Sequence, residues 1–442
     1  MSDLLAIGAS GIKAYSRALS VVGDNIANAQ ADGYVRRTVR LEEAAAAGDI
    51  VLSRNSIRPG GVSAAGVTRE LDQWLVDDAR IASGEAARQS TRLNWISVTE
   101  SALDNGGEGI SGSVTAIFAT ADQLSANPND AALRLQFLSN VADSASTFRR
   151  IATALGSAAN GVAAEAQTVV AQLNTDLSAL SRINDGLRRA RAGSTNEATL
   201  LDERDRLAGH VATAMDVEIS YDARNAAIVR TPSGETLVDG DTIATVTLAV
   251  SAGGLLSFGL APATLLQPAS GQLAGLADAS AHIASQRTRL DSLAAQLRNT
   301  LNAAHQAGID ANGNPGAALL EFTGAAADMT AVARVSSDVA TANAAGNNGN
   351  ILAFNAARIS SGLEQDITAF VTQQAQAAAA TRAQEAAASG RRDGAFAARD
   401  AVGAVDLDRE AADLLRFQQA YEAAARTIQV ARDTMQTMFN IF

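Results

Sequence analysis

The sequence predicts a mainly α-helical protein with a small inserted antiparallel β-domain, in which the N- and C-terminal helices pair as a coiled coil. Three observations predict this fold class: apolar residues recur at heptad spacing near both ends, both flanks are alanine-rich and free of proline, and the apolar period changes from helical to two near the middle. The β-domain is inserted in the helical body, and the body is itself enclosed by the terminal helices, so each of these two enclosing parts comes from both halves of the chain. We therefore expect an elongated molecule of nested, discontinuous domains. The expected divisions are a terminal coiled-coil domain (1–45 and 403–442), an elongated helical body (46–215 and 270–402) and an inserted β-domain (216–269).

The two ends carry matching apolar rows. Near the N-terminus, a row at intervals of seven has a second row beside it: Leu5, Ile12, Leu19 and Ile26, then Gly8, Tyr15 and Val22. Near the C-terminus the apolar residues alternate at spacings of three and four: Leu414, Phe417, Tyr421, Ala424, Ile428, Ala431, Met435, Met438 and Phe442. This alternation is typical of a helix that buries one narrow stripe against another helix. Two interpretations stay open, namely an ordinary intramolecular helical hairpin and ends that order fully only when many copies assemble.

Between the ends, proline and periodicity divide the chain. All six prolines lie between residues 59 and 315, so helix is expected in both flanks, because proline breaks helix interiors. Apolar periodicity predicts helices over about 68–104, 110–126, 129–190, 196–214, 271–306 and 351–400. The charges from Leu200 to Leu207 fall at helical spacing, which is typical of a solvated helix face. Short strands with turn residues between them are expected from 216 to 268.

Composition argues against several classes of function. The chain has 442 residues, a formal net charge of −12, no cysteine and three histidines. An acidic chain lacks the basic stripe typical of nucleic-acid binding, and a chain without cysteine has neither disulfides nor cysteine metal sites. No catalytic, phosphate-binding or cofactor motif is recognisable, so we expect no enzyme activity, no cofactor and no metal. Neither a cleavable signal peptide nor a membrane-spanning stretch is recognisable, so no membrane insertion is expected.

One local pattern keeps a calcium-binding alternative open. The residues at positions one, three, five and twelve of the calcium-loop template are Asp310, Asn312, Asn314 and Glu321. The template requires glycine at position six, where the chain turns sharply, but Pro315 stands there. A turn rich in Asn and Gly is therefore favoured. An enzyme or calcium-binding module on a helical scaffold therefore stays open as one hypothesis for function, beside the two structural roles described below.

Both ends resemble a known family. The stretches that carry the resemblance are Gly11-Ile12, Asp24-Asn25-Ile26-Ala27-Asn28-Ala29 and Gly33-Tyr34, followed near the C-terminus by Val405 to Ala412 and Leu414 to Tyr421. They resemble the bacterial flagellar rod, hook and hook-associated proteins, and the C-terminal stretch is most similar to members at the hook–filament junction. Two internal stretches agree with this, from Leu200 to Leu207 and from Gly308 to Asn314. Where the family often has Thr-Pro before the Gly-Tyr pair, this chain has Ala31-Asp32.

The resemblance implies a structural adaptor subunit that joins the flagellar hook to the filament. It implies export through the flagellar type III apparatus with an uncleaved N-terminal segment, and a secreted, extracellular location at the hook–filament junction. The implied partners are further copies in a ring-like zone, the hook protein, the second junction protein and an export chaperone. The terminal helices would join the inner tube, and the β-domain would face outward. Another axial component, such as the second junction protein or a hook or rod subunit, is the alternative.

The candidate site residues are those of the two terminal rows together with two asparagines of the N-terminal motif. The expected N-terminal assembly residues are Leu5, Ile12, Tyr15, Leu19, Val22, Asn25, Ile26 and Asn28. The expected C-terminal assembly and chaperone-binding residues are Leu414, Phe417, Tyr421, Ile428, Met435, Met438 and Phe442. For each apolar position the simpler interpretation is an ordinary helix–helix contact. Here that interpretation and the assembly role coincide, because the expected function of these residues is to pack against another helix.

Overall fold

The computed structural model describes residues 2–31, 33–44, 60–103, 109–262 and 264–440. It confirms the predicted fold class: the chain is mainly helical, has a small antiparallel sheet region, and its terminal helices pack together. In this part of the chain no helix is both long and apolar enough to cross a membrane.

The helices account for most of the described residues. They are α1 (Ser2–Asn28), α2 (Gln73–Leu103), α3 (Ile110–Ala126), α4 (Ala131–Arg189), α5 (Thr195–Ala214), α6 (Gly271–Gln306), α7 (Gly349–Ser361), α8 (Leu363–Gly403) and α9 (Leu407–Phe439). Local sequence explains several of their ends. The Ser194 side chain caps α5 by accepting a hydrogen bond from the backbone N–H of Glu197. The Asp406 side chain caps α9 by accepting one from the backbone N–H of Asp408. Gly362 separates α7 from α8 because it adopts a left-handed backbone conformation, with φ of 66°.

A β-hairpin follows α1, and it corrects one prediction. Strands β1 (Arg37–Ala44) and β2 (Gly61–Arg69) pair antiparallel. Helix was expected here because the stretch contains no proline, and that expectation is wrong for β1. The absence of proline only permits helix, whereas β-branched residues such as Thr38, Val39 and Val67 favour a pleated, half-buried surface. The rest of the stretch before Pro59 lies outside the described residues.

The predicted β region contains two sheets. The first has strand order β3-β4-β5-β6, with β3 (Glu218–Tyr221), β4 (Ala227–Arg230), β5 (Thr236–Asp239) and β6 (Thr242–Ile243). The second has the order β7-β8-β9, with β7 (Val246–Val250), β8 (Leu256–Leu260) and β9 (Thr264–Leu266). All neighbouring strands are antiparallel. Two short strands, β10 (Leu320–Glu321) and β11 (Thr330–Ala331), pair between α6 and α7.

The chain divides into two compact units. Unit 1 comprises Met1–Glu85, Gln172–Thr245 and Ser389–Phe442, and unit 2 comprises Ala86–Ala171 and Val246–Ala388. The four-stranded sheet belongs to unit 1 and the three-stranded sheet to unit 2. The division into three domains made from the sequence stays a prediction.

Unit 2 contains a large apolar core between α3, α4, α6, α7 and α8. Its largest fully buried side chains are Phe118, Phe137, Phe148, Phe354 and Phe370. The rings of Phe137 and Phe354 meet edge to face, with centroids 5.7 Å apart, an arrangement that aromatic quadrupoles favour. This core stabilises unit 2, whereas the predicted site residues all belong to unit 1.

Candidate assembly site at the terminal helices

Helices α1 and α9 pack closely because small residues lie between them. A Cβ atom built on Gly8 would lie 2.6 Å from Ile428 Cγ1, and one built on Gly11 would lie 3.0 Å from Ala424 Cβ. The distance at Gly8 is shorter than real Cβ contacts, and the distance at Gly11 is tighter than most of them. Glycine at these positions therefore permits the close approach of the two helices. The N- and C-terminal helices of one chain therefore pack against each other, as the sequence predicted.

Of the predicted N-terminal residues, some belong to the most buried row of α1 and the others lie beside it. Val22 and Asn25 are buried, whereas Ile26 is 39% exposed. The half-buried positions are Leu5, Ile12, Tyr15 and Leu19, and Asn28 is exposed. The deeper row consists mainly of small residues: Gly8, Gly11, Ala14, Ala18, Val21 and Val22.

The predicted C-terminal residues keep part of their surface in solvent. Leu414, Phe417, Ile428 and Met435 are half-buried, while Tyr421 and Met438 are 37% and 50% exposed. The rings of Tyr15 and Phe417 approach each other, with centroids 6.5 Å apart. Phe442 lies outside the described residues. The structure brings the two predicted rows together without covering the α9 row completely.

A cluster of charged and polar residues, which we call the Glu410 cluster, joins the start of α9 to the end of α1 and to the hairpin. It consists of Asn25, Arg36, Glu70, Glu410 and Asp413. Glu410 is fully buried, and its carboxylate accepts hydrogen bonds from Arg36 Nε at 2.6 Å and Asn25 Nδ2 at 2.9 Å. The other two guanidinium nitrogens of Arg36 bind Glu70 at 2.5 Å and Asp413 at 3.1 Å. Buried charges need such partners, since an unpaired one is very costly.

The Gly33-Tyr34 motif of the N-terminal segment packs against the same asparagine. Asn25 Oδ1 accepts hydrogen bonds from the Tyr34 hydroxyl at 2.9 Å and from the Arg37 backbone N–H at 3.0 Å. Asn25 Nδ2 also donates to the Arg37 carbonyl at 2.8 Å. Burial raises the pKa of Tyr34 to about 12, although the nearby Arg37 guanidinium opposes that shift. The phenol therefore stays protonated and can act as a donor across the physiological range.

A second charged cluster, the Asp205 cluster, connects α5 to the hairpin and α2. It consists of Arg37, Arg69, Arg80, Asp202, Arg204 and Asp205. Asp202 lies 2.6 Å from Arg37 and 2.8 Å from Arg69. Asp205 lies 2.8 Å from Arg69 and 3.2 Å from Arg80.

This cluster corrects the interpretation of the stretch from Leu200 to Leu207 as a solvated helix face. Arg204 is only 4% exposed, and the Asp202 and Asp205 side chains are largely buried. Glu203 and Arg206, which pair with each other 2.5 Å apart, do lie on the solvated side. Helical spacing of charges could not reveal the error, because the partner arginines come from distant parts of the chain.

The surroundings shift the pKa values of the two aspartates of the cluster in opposite directions. Burial disfavours the charge of Asp205, but Arg204, Arg69 and Arg80 outweigh it and lower its pKa below the ordinary value. Burial raises the pKa of Asp202, and Arg69 and Arg37 compensate only in part. Asp205 is therefore the carboxylate that this arrangement holds ionised.

Three of the four calcium-loop residues, Asp310, Asn312 and Asn314, form a hydrogen-bonded turn in unit 2, and the fourth, Glu321, lies in strand β10. Asp310 Oδ1 accepts hydrogen bonds from the backbone N–H groups of Asn312 and Asn314, both at 2.8 Å. These bonds hold the pKa of Asp310 below its usual value. No group of three or more potential metal ligands occurs among the described residues. The geometry is that of the Asn- and Gly-rich turn.

Sequence reasoning missed Arg36 and Glu410, although a signal was present. Counting back from Leu414 along the C-terminal row of threes and fours, the next position is Glu410. A carboxylate on an otherwise apolar seam indicates a buried polar partner. The partner itself, Arg36, follows the Gly33-Tyr34 motif and could not be paired with Glu410 from one sequence.

Two family models match the chain. The model described as the flagellar hook-associated protein FlgK helical domain matches residues 96–320, just over half of the sequence. The chain belongs to the FlgK family of flagellar hook-associated proteins. A second model, for the C-terminal region of the flagellar basal body rod FlgEFG proteins, matches residues 404–441, which include α9. The resemblance predicted from the terminal motifs is confirmed.

Named relatives of this FlgK-family chain are also similar over long stretches. Flagellar hook-associated protein 1 of Salmonella typhimurium is 28% identical over 335 residues, which cover 72% of this chain and 59% of the relative. The protein of the same name from Bacillus subtilis is 25% identical over 491 residues, covering 97% of this chain and 96% of the relative. The match thus spans about three fifths of the Salmonella relative's length.

A solved structure shares the fold. The flagellar hook junction protein FlgK from Burkholderia pseudomallei superposes with a TM-score of 0.50 at 21% identity. The match covers 55% of this chain and 46% of that one. At this level of identity the likeness concerns the fold alone.

Proposed function

We propose that the protein is a structural adaptor subunit that joins the flagellar hook to the filament and assembles through its terminal helices. The observation that carries the proposal is the α1–α9 pair, whose apolar α9 row stays partly exposed after the two helices have packed. A half-covered apolar row gains stability when a further surface buries it. Membership of the hook-associated family indicates where such a surface would be found.

In this proposal, assembly completes the burial that the single chain leaves unfinished. Copies of the chain form a ring-like zone at the hook tip, in contact with the hook protein on one side and the second junction protein on the other. The terminal helices line the inner tube, and the β region faces outward. Before assembly, a chaperone covers the α9 row to prevent premature association, and the type III apparatus then exports the chain. The proposed role is structural, without an enzymatic reaction.

A second candidate is another axial component, such as a rod or hook subunit. The match of the C-terminal stretch to the rod-protein model favours it. Antibody labelling of isolated hook–filament complexes, viewed by electron microscopy, separates the two. A narrow band where the hook meets the filament supports the junction role. Label along the hook or rod, or no label at all, contradicts it.

Substitutions in the α9 row test the proposed assembly mechanism. We expect Leu414→Asp and Ile428→Asp to leave the helical body folded, as judged by circular dichroism, and to abolish incorporation at the hook tip. A charge on a contact surface must be desolvated when the surface is buried, and that prevents the contact. Incorporation is measured by the same antibody labelling.

Neighbouring residues on α9 provide matched controls. Leu415 and Val430 are 59% and 63% exposed and lie beside the row. Leu415→Asp and Val430→Asp should therefore be incorporated normally. Normal junctions built from the Leu414 and Ile428 variants would show that the row is not the assembling surface.

A further inference from the structure

The Glu410 cluster lies where the two terminal segments meet, and its geometry is specific. Each of the three guanidinium nitrogens of Arg36 binds a different carboxylate, and two of the three carboxylates belong to α9. The backbone also holds Arg36 in place, because its N–H donates to the Gly403 carbonyl at 2.9 Å and its carbonyl accepts from the Glu70 N–H at 2.9 Å. The backbone of Arg36 is therefore held by residues that lie outside α9.

On the α9 side, most residues of the apolar contact with α1 remain partly exposed. Among the described residues of α9, only Glu410 and Ala431 are buried. The remaining row residues are half-buried or exposed, so each contributes only part of its hydrophobic stabilisation. A half-covered row supplies only part of the packing on which the stability of a helix in water depends.

The apolar row is also ambiguous in register, whereas the Glu410 cluster is not. A row that repeats every seven residues can slip by one heptad and still place apolar residues against the partner. Such a slip would bring Gly403 or Phe417 to the position of Glu410. Neither residue supplies a carboxylate, and Arg36 would then lose its fully buried partner. Buried polar groups are known to fix helix register in this way.

We propose that Arg36 and Glu410 are positioning residues that hold α9 on α1 in one register in the free subunit, so that the apolar row stays available for contacts with other subunits. The inference rests on the proposed function only in treating the terminal helices as the assembling elements. The pairing itself is a property of the isolated chain, and it can be measured without any flagellum.

Engineered cysteines measure the register directly, because the chain contains no native cysteine. The pair Gly11→Cys and Ala424→Cys reports the observed register, since a Cβ on Gly11 would lie 3.0 Å from Ala424 Cβ. Only a small outward shift of the helices brings the pair to the separation of about 3.5–4.5 Å that a disulfide requires. The pairs Gly11→Cys with Phe417→Cys and Gly11→Cys with Ala431→Cys report a slip of one heptad in either direction. Each pair is oxidised under mild conditions, and the cross-linked fraction is read by mass spectrometry.

In the parent background we expect only the Gly11–Ala424 pair to cross-link efficiently. Arg36→Gln or Glu410→Gln should slow that cross-link about tenfold or more, since each change leaves a buried charge without its partner, and the slipped pairs should begin to cross-link. Arg416→Gln is the matched control. It also removes an arginine that pairs with Asp413, but this arginine is 68% exposed, so its effect should stay within about twofold.

Hydrogen exchange separates positioning from general stability. In Glu410→Gln we expect protection to fall in α9 and to persist in α5 and α6. Unchanged cross-linking of the Gly11–Ala424 pair in both variants overturns the inference. Loss of protection throughout unit 1 in both variants also overturns it, because the cluster would then stabilise the unit as a whole. Either result leaves the junction role to be decided separately by antibody labelling.

Discussion

At the scale of single residues, the Asp205 carboxylate joins α5 to β2 and α2 through ion pairs. Its side chain is largely buried and lies within ion-pair distance of Arg69, Arg80 and Arg204. We expect Asp205→Asn to lower the free energy of unfolding of unit 1 by about 3–5 kcal/mol, because it removes the one carboxylate that three buried guanidinium groups share, although Arg69 and Arg80 keep the partners Asp202 and Asp77. Urea denaturation followed by circular dichroism measures the loss.

Glu203 offers the matched control two residues away on the same helix. Its side chain is 39% exposed and pairs only with Arg206 among the ion pairs of the described chain. Glu203→Gln should change the free energy of unfolding by less than about 1 kcal/mol, since exposed ion pairs contribute little. Equal losses in the two variants would mean that burial does not distinguish these carboxylates.

The same carboxylate predicts a pH dependence with a definite sign. The folded-state pKa of Asp205 lies below its ordinary value of 3.8, so its contribution is present above pH 3.8 and is lost as the pH falls through the folded value. Asp202, whose pKa burial raises, contributes with the opposite sign and cancels part of the effect. Between about pH 5 and pH 3, the parent should lose stability faster than Asp205→Asn. Parallel urea-denaturation curves for the two proteins across this range would contradict the assignment.

How much of the site could be read from the sequence depends on the kind of residue. The apolar rows were recognisable because their period is local and repeats. The charged residues of both clusters could be recognised in the sequence, but their ion-pair partners could not, because most of these partners lie far away along the chain. Arg37 and Asp202 are one such pair. Whether a charge faces solvent or a distant arginine is decided by tertiary packing, which spacing within one helix cannot report.

At the scale of elements, the α1–α9 pair depends on glycine at the closest approach. Gly8→Ala should lower the free energy of unfolding of the terminal pair by about 1–3 kcal/mol, since the new methyl group would meet Ile428 Cγ1 at 2.6 Å and the Ala424 carbonyl oxygen at 3.2 Å. Hydrogen exchange in α9 measures the change.

Gly23 is the control on the same helix, because a Cβ there meets nothing within 4 Å. Gly23→Ala should leave the exchange of α9 unchanged or slow it slightly, since alanine favours helix over glycine by up to about 1 kcal/mol. A loss of protection in the Gly23 variant as large as that in the Gly8 variant would show that close packing is not the reason for Gly8.

The elements also show why the rest of the fold was harder to predict. Long helices such as α4 and α6 were found because their apolar period continues for many turns. Strand β1 was missed because the absence of proline before residue 59 was taken as evidence for helix, and its partner β2 begins just after Pro59, where the sequence predicted no element before the helix from about residue 68. On α1, counting large apolar residues drew attention to Leu5, Ile12 and Leu19, while the deepest row consists mainly of small residues, with glycine and alanine from Gly8 to Ala18. A pattern based on hydrophobic size does not detect close approach of two backbones.

At the scale of the whole molecule, the sequence predicted correctly that the ends of the chain come together. Matching rows at both ends were sufficient for that inference. They were not sufficient to assign strands to units, because the two sheets lie side by side in the sequence and belong to different units. Contacts between distant stretches define a compact unit, and one sequence does not reveal which stretches meet.

The discontinuity of unit 1 has a consequence for the time at which the protein can fold. Asn25 and Glu410, which share a hydrogen bond, are separated by 385 residues. A ribosome that adds about 5–20 residues per second needs roughly 20–80 s to cover that distance. Throughout this interval the nascent α1 and Arg36 have no α9 to meet. Unit 1 therefore reaches its final form only after synthesis of its last stretch, and the newborn chain stays open to other binding partners until then.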